Sequence, residues 1–268
     1  MPLPQLSVVI VNYNGVSFLK ECINSLRDNL SGISFEIIVV DNNSEDESCQ
    51  FLKQYFPEVK LIESKENLGF GRGNNLGVEN AKGEAILLLN NDTILLNSLL
   101  PAIETLYSKS ENGIVSINML DGEKQYLSAV GRFPSPFRMI KIAFLKDRRK
   151  DFQKGKFIDD LYEVDWVCGA FMLIRKTDYE AVNGFDIDYF LYVEDVDLCK
   201  KMKDLGKKCI FRPDLSYIHF VGFNKSRGHL LLKGYEIYAL KHFNWFGKII
   251  AKIMISINIA FKTLKGIH

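Results

Sequence analysis

The sequence predicts an α/β fold in which a mostly parallel, Rossmann-like central sheet is flanked by helices on both faces. Two observations predict it. Strand and helix patterns alternate along the first half of the chain, which is typical of a parallel, doubly wound sheet. The strand patterns are short aliphatic runs without a polar face, as expected for strands that helices cover on both sides. Such sheets bind ligands at the carboxyl ends of their strands, so a site is expected there.

Four buried strands are predicted early in the chain, with helices between them. The strands lie in LSVVIVNY, FEIIVVD, VKLIES and EAILLLN. One amphipathic helix is predicted in SFLKECINSLRDNL, where apolar residues recur on one face, and a second in ESCQFLKQYF. The segment GRGNNLGVENAKG is interpreted as a loop, a helix and a glycine stop.

The second half of the chain is less regular. Residues 121–160 have few periodic runs and are interpreted as a mobile connection or lid over the site. VDWVCGAFMLIRK predicts a buried strand, and KCIFRPDLSYIHFVG predicts a strand followed by a loop. Between them, VEDVDLCKKMKDLGKK predicts a helix that begins at an acidic cluster and ends at Gly206. We therefore expect a main domain over residues 1–228, divided into halves at 1–120 and 121–228, and a helical tail over 229–268.

Composition narrows the class of protein. The 268 residues are 47% hydrophobic and 25% charged, which is ordinary for a folded domain, and the net charge of +1 gives no argument for a nucleic-acid partner. The five cysteines are widely spaced without a CxxC pair, which indicates reduced thiols in a cytoplasmic protein. The N-terminus enters a strand almost at once, so no signal peptide is expected, and no apolar run reaches the ~20 residues that span a bilayer.

The stretch AILLLNNDT ends a buried strand with two amides and one carboxylate. These side chains make a poor cage for calcium or zinc, but they suit a divalent ion that takes most of its ligands from phosphates and water. The alternative is a helix cap, because Asp92 and Thr93 precede ILLNSLLPAIETLY, a plausible helix. The residues alone leave both interpretations open.

Two further strand ends carry weaker signals. In IVVDNNSED, Asp41 could accept hydrogen bonds from a ribose or a base, while Ser44 could cap the next helix. NLGFGRGNN does not match the dinucleotide fingerprint, because its glycines are spaced by two and follow the third strand. It is either a flexible turn or a loop that approaches a nucleotide, with Arg72 able to contact a diphosphate.

A cluster of acids stands in FLYVEDVDL. Acidic residues at a helix start are favoured by the helix dipole, but Glu194, Asp195 and Asp197 repel one another unless a cation or a hydroxyl uses them. Asp195 could act as a general base toward an alcohol. His219, in YIHFVG, is either a core histidine or a metal ligand.

Four motifs in order carry a resemblance to a known family: SVVIVNYNG, IIVVDNNSED, NLGFGRGNN with LLLNNDT, and WVCGAFMLIRK with GFDIDYFLYVEDVDL and the later histidine. Over roughly residues 5 to 225 the sequence resembles the inverting family 2 glycosyltransferases with the GT-A fold. It looks most like the rhamnosyltransferase-type branch, which has NxD where other members have DxD. Asn90 is the departure from DxD, and it removes one negative charge from the metal motif.

The resemblance implies a role for each matching residue. Asn12, Asp41, Asn43, Arg72, Asn75 and Asn91 would bind the nucleotide, and Trp166 and Gly169 would shape the sugar and acceptor pocket. Asp92 would be the direct ligand of Mn²⁺ or Mg²⁺, and His219 would be a second ligand or a diphosphate contact. Asp195 would be the catalytic base, and Glu194 would help to orient the acceptor.

The resulting interpretation is an inverting hexosyltransferase of cell-surface polysaccharide synthesis. Its donor would be a nucleotide sugar, with dTDP-rhamnose favoured over UDP-sugars, and its acceptor a glycan or a polyprenyl-linked sugar. Two alternatives stay open: a non-catalytic nucleotide- or glycan-binding module, and a nucleotidyltransferase, although NYNGVSF lacks the lysine-bearing loop that the latter usually carries.

The C-terminal tail, WFGKIIAKIMISINIAFKTLKGIH, is apolar with interspersed lysines. Such a helix can lie on an anionic membrane surface, which would place the protein peripherally on the inner face of the cell membrane. The alternative is a helix that packs on the domain or on a dimer partner.

Overall fold

A single mixed sheet organises the molecule. The computed structural model describes residues 5–220 and 228–264. The strands are β1 (Leu6–Asn12), β2 (Phe35–Asp41), β3 (Lys60–Glu63), β4 (Ala85–Asn90), β5 (Thr93–Leu95), β6 (Asn112–Leu120), β7 (Tyr126–Leu127), β8 (Val130–Gly131), β9 (Tyr162–Val164), β10 (Trp166–Val167), β11 (Phe171–Arg175) and β12 (Lys208–His219). The main sheet has the order β3-β2-β1-β4-β11-β6-β12-β5, while β8 and β10 form a separate pair.

Helices cover both faces of this sheet. They are α1 (Val16–Asn29), α2 (Ser48–Tyr55), α3 (Gly69–Glu79), α4 (Leu100–Ser108), α5 (Lys150–Lys154), α6 (Lys176–Ala181), α7 (Glu194–Asp204), α8 (Gly228–His242) and α9 (Trp245–Leu264), with short 3-10 helices at Pro136–Ile140 and Ile142–Leu145. The strands β1 to β4 run parallel, as the alternating pattern predicts. The strand β11 is antiparallel to β4 and β6, and β5 is antiparallel to β12.

Burial on both faces explains the unbroken apolar runs. In β1, Leu6, Val8 and Ile10 pack into the cluster that includes α1 and α4, while Val9 points into the cluster beneath α3 and α7. The side chains of β4 alternate between the same two clusters. The prediction of an α/β sheet with covered strands is therefore confirmed.

Two local predictions were wrong and one open alternative is excluded, and each outcome has a physical reason. No helix begins at Asp92–Thr93: residues 93–95 form β5 against β12, and α4 begins only at Leu100. The helix α3 begins at Gly69, so Gly71 and Gly73 lie within it rather than in a loop, and α3 ends at Glu79, with Asn80 rather than a glycine as its C-cap. These glycines allow close packing, because a Cβ on Gly73 would touch Val11 and one on Gly77 would clash with Val9.

The third difference is a break in the strand predicted at VDWVCGAFMLIRK. The chain pairs with β8 at Trp166–Val167, leaves the strand conformation over residues 168–170, and re-enters the main sheet at Phe171. Residues 121–160 are irregular, as predicted, and contribute Met139 and Leu145 to a core cluster with α8 and α9. The mobility of this segment stays a prediction. The end of the predicted loop after His219, and residues 265–268 of the tail, lie outside the described residues.

Candidate active site

Polar side chains meet where β1, β2 and β4 end. Asn12 is fully buried and donates from Nδ2 to Asp41 Oδ2 at 2.9 Å. Asn91 donates from Nδ2 to Asn12 Oδ1 at 2.7 Å. Parallel pairing brings these residues together, because Asn12 lies opposite Asp41 and the register of β1 with β4 ends one residue earlier, at Val11 and Asn90. Three of the predicted nucleotide-binding residues thus form one hydrogen-bonded row.

Two residues that the sequence analysis assigned no binding role complete this row. The Ser44 hydroxyl donates to Asp41 Oδ2 at 2.7 Å and accepts from Asn12 Nδ2 at 3.2 Å, and α2 has no side-chain cap. Position 15 requires glycine because Asn91 approaches its backbone closely: a Cβ there would lie 2.0 Å from Asn91 Nδ2. Asn43 is exposed and adopts a left-handed φ of 63°. The motif DNNS therefore forms a turn around Asp41 rather than a helix cap.

The metal motif lies beside this row. Pairing of β5 with β12 sets Thr93 opposite His219, and Asp92 Oδ1 is 3.2 Å from His219 Nε2. Asn90 Nδ2 is 3.1 Å from the same nitrogen. The His219 ring is buried, and its Nδ1 has no hydrogen-bond partner among the described residues. His219 is thus held at the edge of the site by backbone pairing, within reach of the Asp92 carboxylate.

This pair fits a divalent ion with few protein ligands. Two adjacent ligand atoms of an octahedral ion, each bonded at about 2.1 Å, lie about 3 Å apart, which matches the separation of Asp92 Oδ1 and His219 Nε2. Among the described residues, no group of three or more His, Cys, Asp or Glu side chains is arranged to hold a metal ion. An ion here would therefore take its other ligands from a diphosphate and from water.

The predicted base lies at the start of α7. Asp195 Oδ2 accepts the Gly169 N–H at 2.9 Å, and Oδ1 accepts the Val196 N–H at 2.8 Å. Burial raises the pKa of Asp195, and these two backbone hydrogen bonds oppose the rise. Because the chain leaves the strand conformation between β10 and β11, the Gly169 N–H is not used in strand pairing and donates to Asp195 instead.

Glu194 has a different environment from Asp195. Its side chain is only 4% exposed, and Oε2 has no hydrogen-bond partner among the described residues. Burial, and then the charges of Asp195 and Asp197, raise the pKa of Glu194 well above its ordinary value. Neighbouring carboxyl groups whose environments separate their pKa values are suited to different roles, one as a base and one as a neutral group.

The metal motif and the acids flank the same turn. The backbone N–H of Asn90 donates to the Ala170 carbonyl at 3.1 Å, so the end of β4 adjoins the turn that binds Asp195. Burial raises the pKa of Cys168 to about 12, and the charges of Asp195, Glu194 and Asp92 add to that rise. Cys168 is therefore close enough to both acidic groups for their charges to act on its thiol, which its sequence context did not indicate.

The remaining predicted residues contact protein groups. Arg72 donates from Nε and Nη2 to the Ile187 carbonyl, at 3.2 and 3.0 Å. Asn75 bonds the backbone of Phe185 through both ends of its amide and accepts from the Tyr179 hydroxyl. These contacts tie α3 to the loop that leads to the acids. Trp166 donates to the Arg132 carbonyl at 3.0 Å and packs against Gly131. The structure does not bring these three side chains into the row formed by Asn12, Asp41 and Asn91.

Strained backbone precedes the acids. Tyr192 and Val193 both have left-handed φ values, 72° and 73°, which non-glycine residues rarely adopt, β-branched ones least of all. Each such residue costs on the order of 1–3 kcal/mol and persists only where its surroundings enforce it. The helix α7 also lacks a side-chain cap, so its start is held by packing instead.

Comparison with known proteins identifies the family. The sequence profile of "Glycosyl transferase family 2" matches residues 7–182, which include the strand-end row, Asp92 and the Gly169 turn. The chain belongs to this family. The family 2 match stops before α7, so Asp195 and His219 lie beyond it.

Named relatives of this family 2 glycosyltransferase span most of the chain. It is 30% identical to rhamnosyltransferase WbbL of Escherichia coli K12 over 223 residues, which is 80% of this chain and 82% of the relative. It is 23% identical to the N-acetylglucosaminyl-diphospho-decaprenol L-rhamnosyltransferase of Mycobacterium tuberculosis H37Rv, over 90% of this chain and 86% of the relative.

Solved structures show the same fold. The mannosyltransferase PcManGT of Pyrobaculum calidifontis, in complex with GDP-Man and Mn²⁺, superposes with a TM-score of 0.62 at 17% identity and covers 97% of this chain and 75% of that one. S. aureus TarS 1–349 in complex with UDP gives a TM-score of 0.58 at 16% identity, over 98% and 74% of the two chains. The predicted GT-A architecture is therefore confirmed.

Proposed function

We propose that the protein transfers a hexosyl group from a nucleoside diphosphate sugar to a hydroxyl of a glycan or polyprenyl-linked acceptor, with inversion at the anomeric carbon. One observation carries this proposal. The carboxylate of Asp195 is fixed by the Gly169 N–H on a turn whose other side adjoins the metal motif at the end of β4. A base and a diphosphate-binding edge on opposite sides of one turn suit in-line displacement.

Asp195 would supply the base in this reaction. Each of its oxygens accepts one backbone N–H, which leaves further lone pairs for the proton of an acceptor hydroxyl. Its raised pKa makes it a stronger base than an ordinary aspartate. The deprotonated hydroxyl attacks the anomeric carbon, and the nucleoside diphosphate leaves from the opposite face. Glu194 lies beside the base and is buried. It would orient the acceptor through an acceptor hydroxyl that reaches its carboxyl oxygens.

The donor would bind along the strand-end row. Asn12, Asp41 and Asn43 would contact the base and ribose, and Asn91 would face the diphosphate, as the family resemblance implies. Asp92 and His219 would hold Mn²⁺ or Mg²⁺. Such an ion neutralises the charge that develops on the leaving diphosphate. Arg72 and Asn75 would border the nucleotide through the loop that they anchor at residues 185–187.

The names of the relatives guide the choice of substrates. Two of them are rhamnosyltransferases, which favours dTDP-rhamnose as the donor over UDP-hexoses or UDP-galactofuranose. One acts on an N-acetylglucosaminyl-diphospho-decaprenol, which favours a polyprenyl-linked acceptor for cell-surface polysaccharide. Trp166 and Gly169 would shape the pocket for the sugar and this acceptor.

An acceptor of this kind places the reaction at a membrane surface. The helix α9 presents exposed Trp245, Phe246, Ile249 and Ile253 on the face opposite its buried residues Ala251 and Ile255. No helix among the described residues is long and apolar enough to cross a bilayer. We propose that the outer face of α9 contacts the inner surface of the cell membrane from the cytoplasm.

The decisive test is Asp195→Asn. We expect nucleotide affinity to be unchanged and sugar transfer to fall by roughly 10²–10⁴, the usual contribution of a general base. Asp204→Asn is the matched control, because Asp204 is an exposed aspartate at the other end of α7. Full turnover by Asp195→Asn would refute the assignment of Asp195 as the base, whereas nucleotide binding without any sugar transfer by the wild type would favour a binding module.

Nucleotide binding is measured by thermal shift with UDP, dTDP and GDP, each with and without Mn²⁺. A ligand at ~100 times its Kd adds roughly 2.7 kcal/mol to the free energy of unfolding, which is easily detected. We expect a UDP or dTDP shift that grows with Mn²⁺ in the wild type but not in Asp92→Asn. Turnover is then measured with the donor that this panel selects and a short-chain N-acetylglucosaminyl-diphospho-prenol.

A further inference from the structure

The helix α8 lies against the loop and turn that present the proposed catalytic acids. Gly234 contacts the strained residues directly: a Cβ there would lie 2.6 Å from the Tyr192 carbonyl oxygen and 2.8 Å from Val193 Cγ2. Because one of these atoms belongs to the backbone, no side-chain rotation would relieve the clash. The backbone of α8 therefore rests on the turn that precedes Glu194.

Two turns later, α8 contacts α7 itself. His242 Nε2 is 2.7 Å from Asp197 Oδ1, and the Tyr189 hydroxyl donates to the same oxygen at 3.2 Å. Asp197 is 1% exposed, and its Oδ2 has no hydrogen-bond partner among the described residues. His242 is thus a main partner of a buried carboxylate that lies two residues after the proposed base. Its ring also packs on Tyr238, with centroids 4.4 Å apart.

The same helix holds the loop before the turn. Lys241 Nζ is 2.8 Å from an Asp186 oxygen and 2.7 Å from an Asp188 oxygen. From Gly234 to His242, α8 runs about 12 Å, which is long enough to contact both the strained turn and Asp197. The helix thus contacts the segment 186–197 before, at and after the turn, while α7 has no side-chain cap of its own.

We propose that α8 is a positioning element for the reaction, and that Gly234 and His242 hold the Tyr192–Val193 turn so that Asp195 keeps its orientation toward Gly169. This inference rests on the proposed role of Asp195 as the base. Neither residue contacts the strand-end row or the metal motif, so their effect is on the geometry of the acid and not on nucleotide binding.

The glycine arm of the test compares Gly234→Ala with Gly228→Ala. Both changes replace a glycine of α8 by a better helix former, but a Cβ at Gly228 would meet no described residue within 4 Å. We expect kcat to fall about 10- to 100-fold in Gly234→Ala, as displaced catalytic groups usually cause, while the Kd for the nucleotide changes by less than about twofold. Gly228→Ala should match the wild type in both.

The histidine arm compares His242→Ala and His242→Gln with His229→Ala, an exposed histidine of the same helix. His242→Ala should lose kcat to a similar degree. His242→Gln keeps an N–H that can reach Asp197 and should recover kcat to within about threefold of the wild type. Hydrogen exchange of the amides at residues 190–197 should rise in Gly234→Ala and His242→Ala and stay slow in the controls.

The outcomes separate this inference from the proposed function. If Asp195→Asn loses transfer but Gly234→Ala and His242→Ala keep the wild-type kcat, the positioning role is refuted and the function stands. Loss of kcat in His242→Gln equal to that in His242→Ala would also refute the role of the hydrogen bond. If Asp195→Asn keeps full turnover, the role of Asp195 as the base is refuted and the inference falls with it, while the absence of sugar transfer by the wild type would refute the proposed function itself.

Discussion

Glu194 is a carboxyl group whose burial conflicts with its charge. Burial and the adjacent acids raise its pKa in the folded protein, so the fold favours the protonated form more than the unfolded chain does. The unfolded state then binds fewer protons between the two pKa values, and stability falls as pH rises above the unfolded pKa. At neutral pH this residue therefore destabilises the fold.

Glu194→Gln should consequently stabilise the protein at high pH. It removes the charge and keeps the shape, so we expect Tm at pH 8 to rise by at least about 2 °C, the shift that roughly 1 kcal/mol produces in a chain of this size. The gain should shrink toward pH 5, where the wild-type carboxyl is increasingly protonated. Thermal melts across this range measure it, with Glu21→Gln on the exposed surface of α1 as control. A gain that grew toward pH 5 would contradict the sign of the shift.

At the same scale, the sequence could predict those site residues that end strands. Asn12, Asp41, Asn91 and Asp92 follow apolar runs whose carboxyl ends must meet at one edge of the sheet. Ser44 and Gly15 could not be assigned in this way, because their roles depend on interatomic distances of 2 to 3 Å. The pairing of His242 with Asp197 joins residues 45 positions apart, and neither has a local pattern that indicates the other.

At the scale of elements, close packing explains the glycines of α3. The sequence analysis left open a flexible turn or a loop at a nucleotide, but Gly71, Gly73 and Gly77 lie within a helix that approaches β1 and Phe185 closely. Glycine is a poor helix former, so a segment rich in glycine is not predicted to be a helix from its sequence. Close tertiary contact favours glycine here, since a Cβ would lie 3.0 Å from Phe185 at Gly71, 3.0 Å from Val11 at Gly73 and 2.3 Å from Val9 at Gly77.

Gly77→Ala tests this explanation. A Cβ would lie 2.3 Å from Val9 Cγ1 in a fully buried site, and such overpacking usually costs about 1–3 kcal/mol, against a gain of about 1 kcal/mol in helix propensity. We expect a lower Tm with nucleotide affinity unchanged within about twofold. Gly228→Ala is the control and should not lower Tm, because a Cβ there would meet none of the residues that the structure describes. A loss of nucleotide affinity without a loss of stability would instead support a direct ligand role for this segment.

The broken strand at Cys168–Ala170 shows a second limit of element prediction. WVCGAFMLIRK reads as one apolar run, and apolarity does not reveal where a strand leaves the sheet. The strand does leave it at Gly169, whose N–H then bonds Asp195. This departure from the local pattern places a backbone donor beside the proposed base.

At the scale of the whole molecule, the C-terminal helices join the site to an apolar surface. The tail was predicted either to pack on the domain or to lie on a membrane, and the inner face of α9 does pack on the domain: Ala251 and Ile255 are buried, and Asn258 donates to the Ile140 carbonyl at 2.9 Å. Removing the tail would therefore expose core. The alternatives that the sequence left open concern opposite faces of one helix, so packing on the domain does not exclude membrane contact.

Substitutions on the outer face of α9 test membrane contact without disturbing the core. Ile249→Ser with Ile253→Ser removes two exposed apolar side chains and leaves Ala251 and Ile255 in place. Because no acidic residue follows Glu236 while lysines continue to the C-terminus, anionic lipid should bind this region best. We expect the wild type to sediment with anionic vesicles, more weakly as salt is raised, and the double variant to lose most of this binding with Tm unchanged.

The control for this test is Tyr55→Ser, which removes an exposed aromatic side chain of α2. If the double variant instead kept its vesicle binding and converted a dimer to a monomer in analytical ultracentrifugation, the outer face of α9 would be a contact between two copies of the chain.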